Sequence, residues 1–247
     1  MASSDFLTYE FPLDEAFRQF LRLHQLFQHF KCYNSNGQQL AAARSLVEVS
    51  TLCMRVDPKV ELSRSLDQLE LKLKPLQTNP AVDQSRLDYL IGELQNTSRD
   101  LCGRAGRFDS TLESDHLWKA MTRKALLPGG FCDFEMPILK HWLYSEESAH
   151  DLGRWHQQFE LLEHGLDLLL QLARDFSPYQ RLEASSGAIE SPKPKNSEKW
   201  RLVRVQLAKS FTGYPIISGS GQCFTLQLFS QQGIAIKDSH PLDLGCY

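Results

Sequence analysis

Leu7, Tyr9 and Phe11 alternate with Thr8 and Glu10 and stop at Pro12, the period-two pattern of a half-buried strand ended by proline. A lone strand leaves its backbone N–H and C=O groups unpaired, so this one must find a partner elsewhere in the chain. Comparable alternation returns only near the other end. Val203, Val205 and Leu207 alternate with Leu202, Arg204 and Gln206; Phe224, Leu226 and Leu228 alternate with Cys223, Thr225 and Gln227; Ile234 and Ile236 make a third short run. The two ends are therefore expected to share one small, mainly antiparallel sheet, with Gly213 to Gly221 as a turn between two of its strands.

The stretch between reads as helix. Asp14 is an N-cap ahead of Phe17, Phe20, Leu21, Leu23, Phe27 and Phe30, which recur at helical spacing. A second helix runs from about Gln38 to Arg55, a third from Asp57-Pro58 to Pro75, and a fourth from Asp83 through Leu94. Asn96 to Asp109 reads as a loop, and Ser114 or Asp115 opens a fifth helix that Pro128 ends. Pro128-Gly129-Gly130 forces a turn, because proline lacks an amide donor and glycine pays the largest backbone entropy. Pro137 then opens a short helix bearing Lys140, His141 and Trp142. Ser145-Glu146-Glu147 starts a helix of nearly thirty residues, about 40 Å long at 1.5 Å per residue. The fold class expected is α+β: a helical bundle domain, residues 14–180, packed on a β-domain built from residues 1–13 and 198–247, with 181–197 as an exposed loop.

The six cysteines are scattered without a CxxC pair, and no signal-like apolar run precedes the first strand, so a reduced, cytoplasmic chain is expected. No run of about 18 apolar residues exists to span a membrane. The formal net charge of −3 argues against bulk nucleic-acid binding, which grows with the number of phosphates neutralised.

No P-loop, HExxH or GxSxG pattern is present. His156, Glu160 and His164 stack four residues apart on one helical face and could be read as a metal-dependent or small-molecule enzyme site. Three ligands along a straight helix, however, do not converge on a point as zinc requires. Cys132 and His141 are a thiol and an imidazole with nothing in the sequence to pair them. No cofactor is called for. Positive charge does recur locally. Residues 99–124 carry six Lys or Arg against four acids, and residues 188–210 carry six against two. Such runs suit solvated faces, a patch that steers an acidic partner, or, for Lys193 to Lys209, a nucleic-acid contact. His116, Lys119 and Arg123 fall at i, i+3 and i+7 on the fifth helix and Lys140 follows on the short one. Arg204 and Lys237 on the strand side could complete a cationic rim around Trp118 or Trp142, a groove for a short acidic and apolar peptide.

Several short motifs carry a resemblance. Pro128-Gly129-Gly130, an aromatic and acidic pair, Met136-Pro137 and a helix ending in Trp142-Leu143 form one set. Val82-Asp83-Gln84-Ser85-Arg86-Leu87, Tyr214-Pro215 with Ile217-Ser218-Gly219, and Phe11-Pro12-Leu13-Asp14-Glu15 extend it over nearly the whole chain. Together they resemble the ZapD family of bacterial cell-division proteins, which bind and bundle the tubulin-like division protein FtsZ. The resemblance implies a cytoplasmic, mid-cell, cofactor-free homodimer without enzymatic activity, with a helical domain and a β-domain, that grips the C-terminal tail of FtsZ through a basic surface. By alignment from the Pro-Gly-Gly turn, family basic positions are held here by His116 and Lys140, whereas a family arginine on the penultimate strand is replaced by Cys223. Lys119, Arg123, Arg204 and Lys237 are added from spacing alone.

Overall fold

The computed structural model describes residues 5–127, 129–132, 134–192 and 199–247. The chain divides into two compact units, residues 20–169 and residues 1–19 with 170–247.

The second of these holds the strands and is joined by the chain's two ends. Strand β1 (Phe6–Pro12) lies antiparallel to β4 (Leu202–Ala208), with Tyr9 opposite Val205 and Glu10 opposite Arg204. β7 (His240–Cys246) and β2 (Gln180–Ala184) complete a four-stranded sheet in the order β1-β4-β7-β2. A three-stranded sheet, β3-β6-β5, is formed by β3 (Ala188–Glu190), β6 (Phe224–Ser230) and β5 (Gly213–Gly219). Every pairing is antiparallel. The alternate residues Val203, Val205, Leu207, Phe224, Leu226, Leu228, Leu242 and Leu244 meet in one core, each buried side chain of this size stabilising by about 1.5–3 kcal/mol. Charged groups fasten the edges: Arg174 grips Glu10 with two bonds at 2.8 and 2.9 Å, and Arg201 meets Asp14 at 2.6 Å while lying over Phe17.

Among the described residues there are eight α-helices: α1 (Glu15–Ser35), α2 (Gln39–Arg55), α3 (Lys59–Leu73), α4 (Gln84–Gly103), α5 (His116–Lys124), α6 (Pro137–Leu143), α7 (Ser148–Gln157) and α8 (Glu160–Asp175). Asp14 caps α1 by accepting the Phe17 N–H at 2.7 Å, and Asp83 and Asp115 cap α4 and α5 in the same way. The apolar stripes read from the sequence are the buried ones, from Phe20, Leu23 and Phe27 on α1 to Leu162, Leu166 and Leu169 on α8.

Five local expectations are corrected. α4 does not end near Asn96 but runs to Gly103, because Thr97, Ser98 and Leu101 are buried and Ser98 bonds to Asp67 and Ser63 of α3, both at 2.7 Å. Polar side chains that look like loop in sequence are satisfied here across a helix pair. The single long helix is two, α7 and α8, parted at Gln158 and Phe159. There the Phe159 N–H bonds to the His156 carbonyl at 2.8 Å, and Gln158 accepts the Thr111 hydroxyl at 2.6 Å. Residues 181–197 contain strand, β2 and β3, rather than only loop; Lys193 and Lys195 lie outside the described residues. Gly213 to Gly219 is strand β5 rather than a turn. Ile234 to Ile236 forms only a bridge from Ala235 to Phe229, whereas the third run of this region is β7. Two sheets therefore replace the one expected. Gly187 turns the β2–β3 link at φ +70, where a side chain would run into the Ile236 carbonyl.

Candidate functional site

Helix α5 is held from its first turn. Asp115 accepts the Trp118 N–H at 2.9 Å, the Trp155 indole N–H at 2.9 Å and the Arg154 guanidinium at 2.5 Å. Burial pulls this carboxyl up, but the three donors more than offset it and hold the group below the usual carboxylate range. Beneath the helix Trp118, Trp142 and Trp155 pack in series, Trp142 on Trp155 at 5.3 Å and Trp118 on Trp155 at 5.4 Å. Trp118 and Trp142 are buried, so they form the floor of hollows rather than an open aromatic rim.

Two hollows open along α5, one at its first turn and one beside its later turns, and they part the residues that helical spacing groups. Lys119 and Arg123 face a hollow of about 360 Å³ with Met54, Arg107, Trp118 and Leu126. His116 faces another, of about 480 Å³, with Ile138, His141, Glu147, Asp151 and Arg154. Lys140 is exposed on α6 but does not line that hollow. Ile138, His141 and Trp142 do, which leaves Lys140 on the opposite side of the helix.

The first hollow has a neighbour across the end of α2. Met54 lines one and Arg55 the next, which holds about 450 Å³ and adds Arg22, His29, Glu48 and Ala125. Leu126 and Ala125 are divided between them in the same way, so the two adjoin through sequence neighbours, and the pair is called the trough. Of its lining, Met54 is 40% and Leu126 60% exposed, and their sequence neighbours Val56 and Leu127 are exposed as well. Arg22, Arg55, Lys119 and Arg123 are all exposed, and none has an ion-pair or side-chain hydrogen-bond partner among the described residues. The opposing acids are fewer. Asp109 is buried and taken up by Ser50 at 2.6 Å and Arg107 at 3.2 Å; Glu113 meets Arg107 at 3.5 Å; Glu48 alone is left on the second hollow. The trough is net cationic with exposed apolar side chains between the charges, the combination that suits an acidic and apolar peptide. Met54, Arg55, Arg22 and Leu126 were not found by sequence reasoning. The one local signal was the Met-Arg-Val run closing α2, where apolar side chains continue beyond the buried stripe.

On the strand unit Arg204 is occupied. Its guanidinium donates to the Arg174 carbonyl at 3.0 Å, approaches Glu10 at 3.4 Å, lies over Tyr179 and is 14% exposed. Lys237 is exposed on the loop between β6 and β7.

The metal reading finds its residues apart. His156 bonds to the buried Glu163 at 2.6 Å and stacks on Phe30, while His164 pairs with Glu93 at 3.2 Å. Among the described residues no group of three or more side chains could hold a metal ion. Cys132 donates to the Gly129 carbonyl, and burial, with Asp109 nearby, pushes the Cys53 thiol up to about 12. No helix among the described residues is long and apolar enough to cross a membrane.

The ZapD family model, described as a cell division protein, matches residues 21–227. A protein named "Cell division protein ZapD" from Methylococcus capsulatus is 30% identical over 229 residues, 91% of this chain and 89% of its own length. One of the same name from Cronobacter sakazakii is 28% identical over 246 residues, 96% of this chain and 97% of its own.

Proposed function

Because the chain belongs to the ZapD family of cell division proteins, we propose that it binds the C-terminal tail of FtsZ in the trough between α2 and α5 and, as a homodimer, ties FtsZ filaments together at mid-cell. The observation that carries the proposal is the pair of adjoining hollows: Lys119 and Arg123 beside Met54 and Leu126 in one, Arg22 and Arg55 in the next, all four cations exposed and without a side-chain partner among the described residues. An acidic tail gains its carboxylate contacts from Arg22, Arg55, Lys119 and Arg123 and buries apolar side chains on Met54 and Leu126. His116 and Lys140, on other faces of the same unit, serve as outlying contacts for a longer tail. On the strand unit, Arg204 supports its strand from within, and the exposed Lys237 is a contact for an acidic partner independent of the trough. The role is physical and requires no chemistry.

The test is co-sedimentation of FtsZ filaments with this protein, repeated with FtsZ lacking its tail. Pelleting of both proteins that depends on the tail, and that Lys119→Glu with Arg123→Glu abolishes, is expected. Bundling that survives tail deletion would remove the trough from the account. Retention of zinc through chelation, with an activity that follows it, would favour the enzyme instead.

A further inference from the structure

The helical unit displays, on its own surface, a segment of the chemistry its trough receives. Tyr144-Ser145-Glu146-Glu147 forms the turn between α6 and α7. Tyr144 is 86% exposed, the most exposed of the large hydrophobic side chains. Glu146 and Glu147 are exposed as well, with no side-chain partner among the described residues. The turn is fastened in place. The Tyr144 N–H bonds to the His141 carbonyl at 3.2 Å, the Ser145 hydroxyl to the Trp142 carbonyl at 2.9 Å, and the Ser148 hydroxyl to the Ser145 carbonyl at 3.0 Å. Trp142 beneath it is pinned to Asp151 at 3.1 Å. An aromatic followed by two carboxylates is thus presented on a rigid support, so little ordering entropy opposes its capture.

We propose that this turn of one copy docks in the α2–α5 trough of a second copy, so that the protein self-associates head to tail and the contact competes with an acidic tail for the same cations. The choice of occupant rests on charge complementarity. The trough holds Arg22, Arg55, Lys119 and Arg123, and the turn offers Glu146 and Glu147 beside an aromatic ring that fits the exposed Met54 and Leu126. The two surfaces are different patches of one chain, so the contact is heterologous and propagates instead of closing on itself. A four-residue turn buries far less than the roughly 1,200 Å² of a stable interface, so the association is weak and salt-sensitive. Its consequence is regulatory. At high local concentration without filaments, copies occupy one another's troughs, and filament tails displace them.

The inference rests on the trough reading above, and the test separates the two. Sedimentation velocity of the full chain at low ionic strength is expected to show mass rising with concentration beyond any fixed oligomer and falling on addition of salt. Glu146→Lys with Glu147→Lys, and separately Lys119→Glu with Arg123→Glu, are each expected to weaken that association roughly tenfold, since each swap removes attractions and adds repulsions. A one-to-one mixture of the two variants restores it in part, because the intact trough of the first then meets the intact turn of the second. Variants that melt like the parent yet associate unchanged, a mixture that fails to restore association, or a parent whose mass does not rise with concentration would each overturn the proposal. The Glu146→Lys, Glu147→Lys variant keeps its trough, and so should still bind the synthetic C-terminal tail peptide of FtsZ. Failure there would count against the tail-binding reading and leave the self-association result standing.

Discussion

Replacing Asp115 by alanine tests whether α5 is held as described. The carboxyl serves three donors: the Trp118 N–H at 2.9 Å, the Trp155 indole at 2.9 Å and Arg154 at 2.5 Å. Loss of the N-cap costs about 1 kcal/mol. Trp155 is fully buried, so its indole N–H is left without an acceptor, at about 1–3 kcal/mol. Arg154 is 41% exposed and retains Asp151 at 2.8 Å, so its share is about 0–1 kcal/mol. The expected loss is about 3 kcal/mol, with Asp115→Asn losing about half as much because an amide oxygen can still accept one of these bonds. Urea unfolding followed by tryptophan fluorescence reads it directly, since three of the four tryptophans sit in this cluster. The pH dependence has a definite sign. The folded carboxyl titrates below its usual range, so its contribution is complete above the unfolded value of about 3.9 and is lost as pH falls through the folded one. Asp115→Ala should therefore flatten the loss of stability in acid. A variant within about 1 kcal/mol of the parent, with an unchanged acid slope, would refute the assignment of Asp115 as the anchor of this helix.

Reversing Arg22 and Arg55 together, or Lys119 and Arg123 together, is expected to lower FtsZ-tail affinity about tenfold and to shallow its salt dependence, as read by fluorescence anisotropy. Arg204→Ala should do the opposite, costing about 1–3 kcal/mol in a thermal melt while leaving tail affinity unchanged, because its donors are spent inside the strand unit. Glu163 is opposed by burial, yet His156 and Lys31 hold it below the usual range. Glu163→Gln should lower the melting temperature near neutral pH, and the gap should close as pH falls from the unfolded carboxyl value of about 4.3 through the lowered folded one. Gly165→Val should cost about 1–3 kcal/mol in urea, since even a β-carbon there would approach Leu62 at 3.1 Å and Thr97 at 3.3 Å.

Periodicity carried most of the fold. The N-terminal strand and its pairing with β4 followed from alternation at both chain ends, and the helix caps at Asp14, Asp83 and Asp115 were legible because a cap needs only its own next turn. What escaped depended on distant partners. Residues 97–103 stay helical because Ser98 finds Asp67 and Ser63. β7 was hidden by Pro241 and Gly245, which break the reading of its alternation although Leu242 and Leu244 point inward. The helix break at Gln158 and Phe159 has no proline or glycine to announce it, and Phe159 is drawn into the core beside Trp118 at 6.1 Å. The candidate site follows the same division. Lys119 and Arg123 were legible as neighbours one turn apart. His116 shares their helical phase, but it stands in the first turn of α5, at the end that meets α6 and α7 rather than α2. Arg22 and Arg55 come from other helices, so no local pattern could have joined them to α5.

The strength of such a trough bears on what it could accomplish. Four exposed cations at about 0–1 kcal/mol each, with two partly covered apolar side chains at a few tens of cal/mol per Å² buried, give a modest total once lost translational freedom is set against it. That total falls short of the roughly −8 kcal/mol of a micromolar site, so on the proposed reading a single tail would be held weakly and released readily. For a bundling protein, weakness of this kind is useful. On the proposed reading, two troughs on one dimer meeting many tails on two filaments would convert the second capture into an intramolecular event, so the assembly would hold while each contact exchanges. The same weakness would keep the proposed competition with the Tyr144–Glu147 turn reversible, since neither occupant would be bound tightly enough to exclude the other. A trough of four cations should thus yield bundles that dissolve sharply with salt, whereas a site dominated by buried apolar contacts would leave them intact.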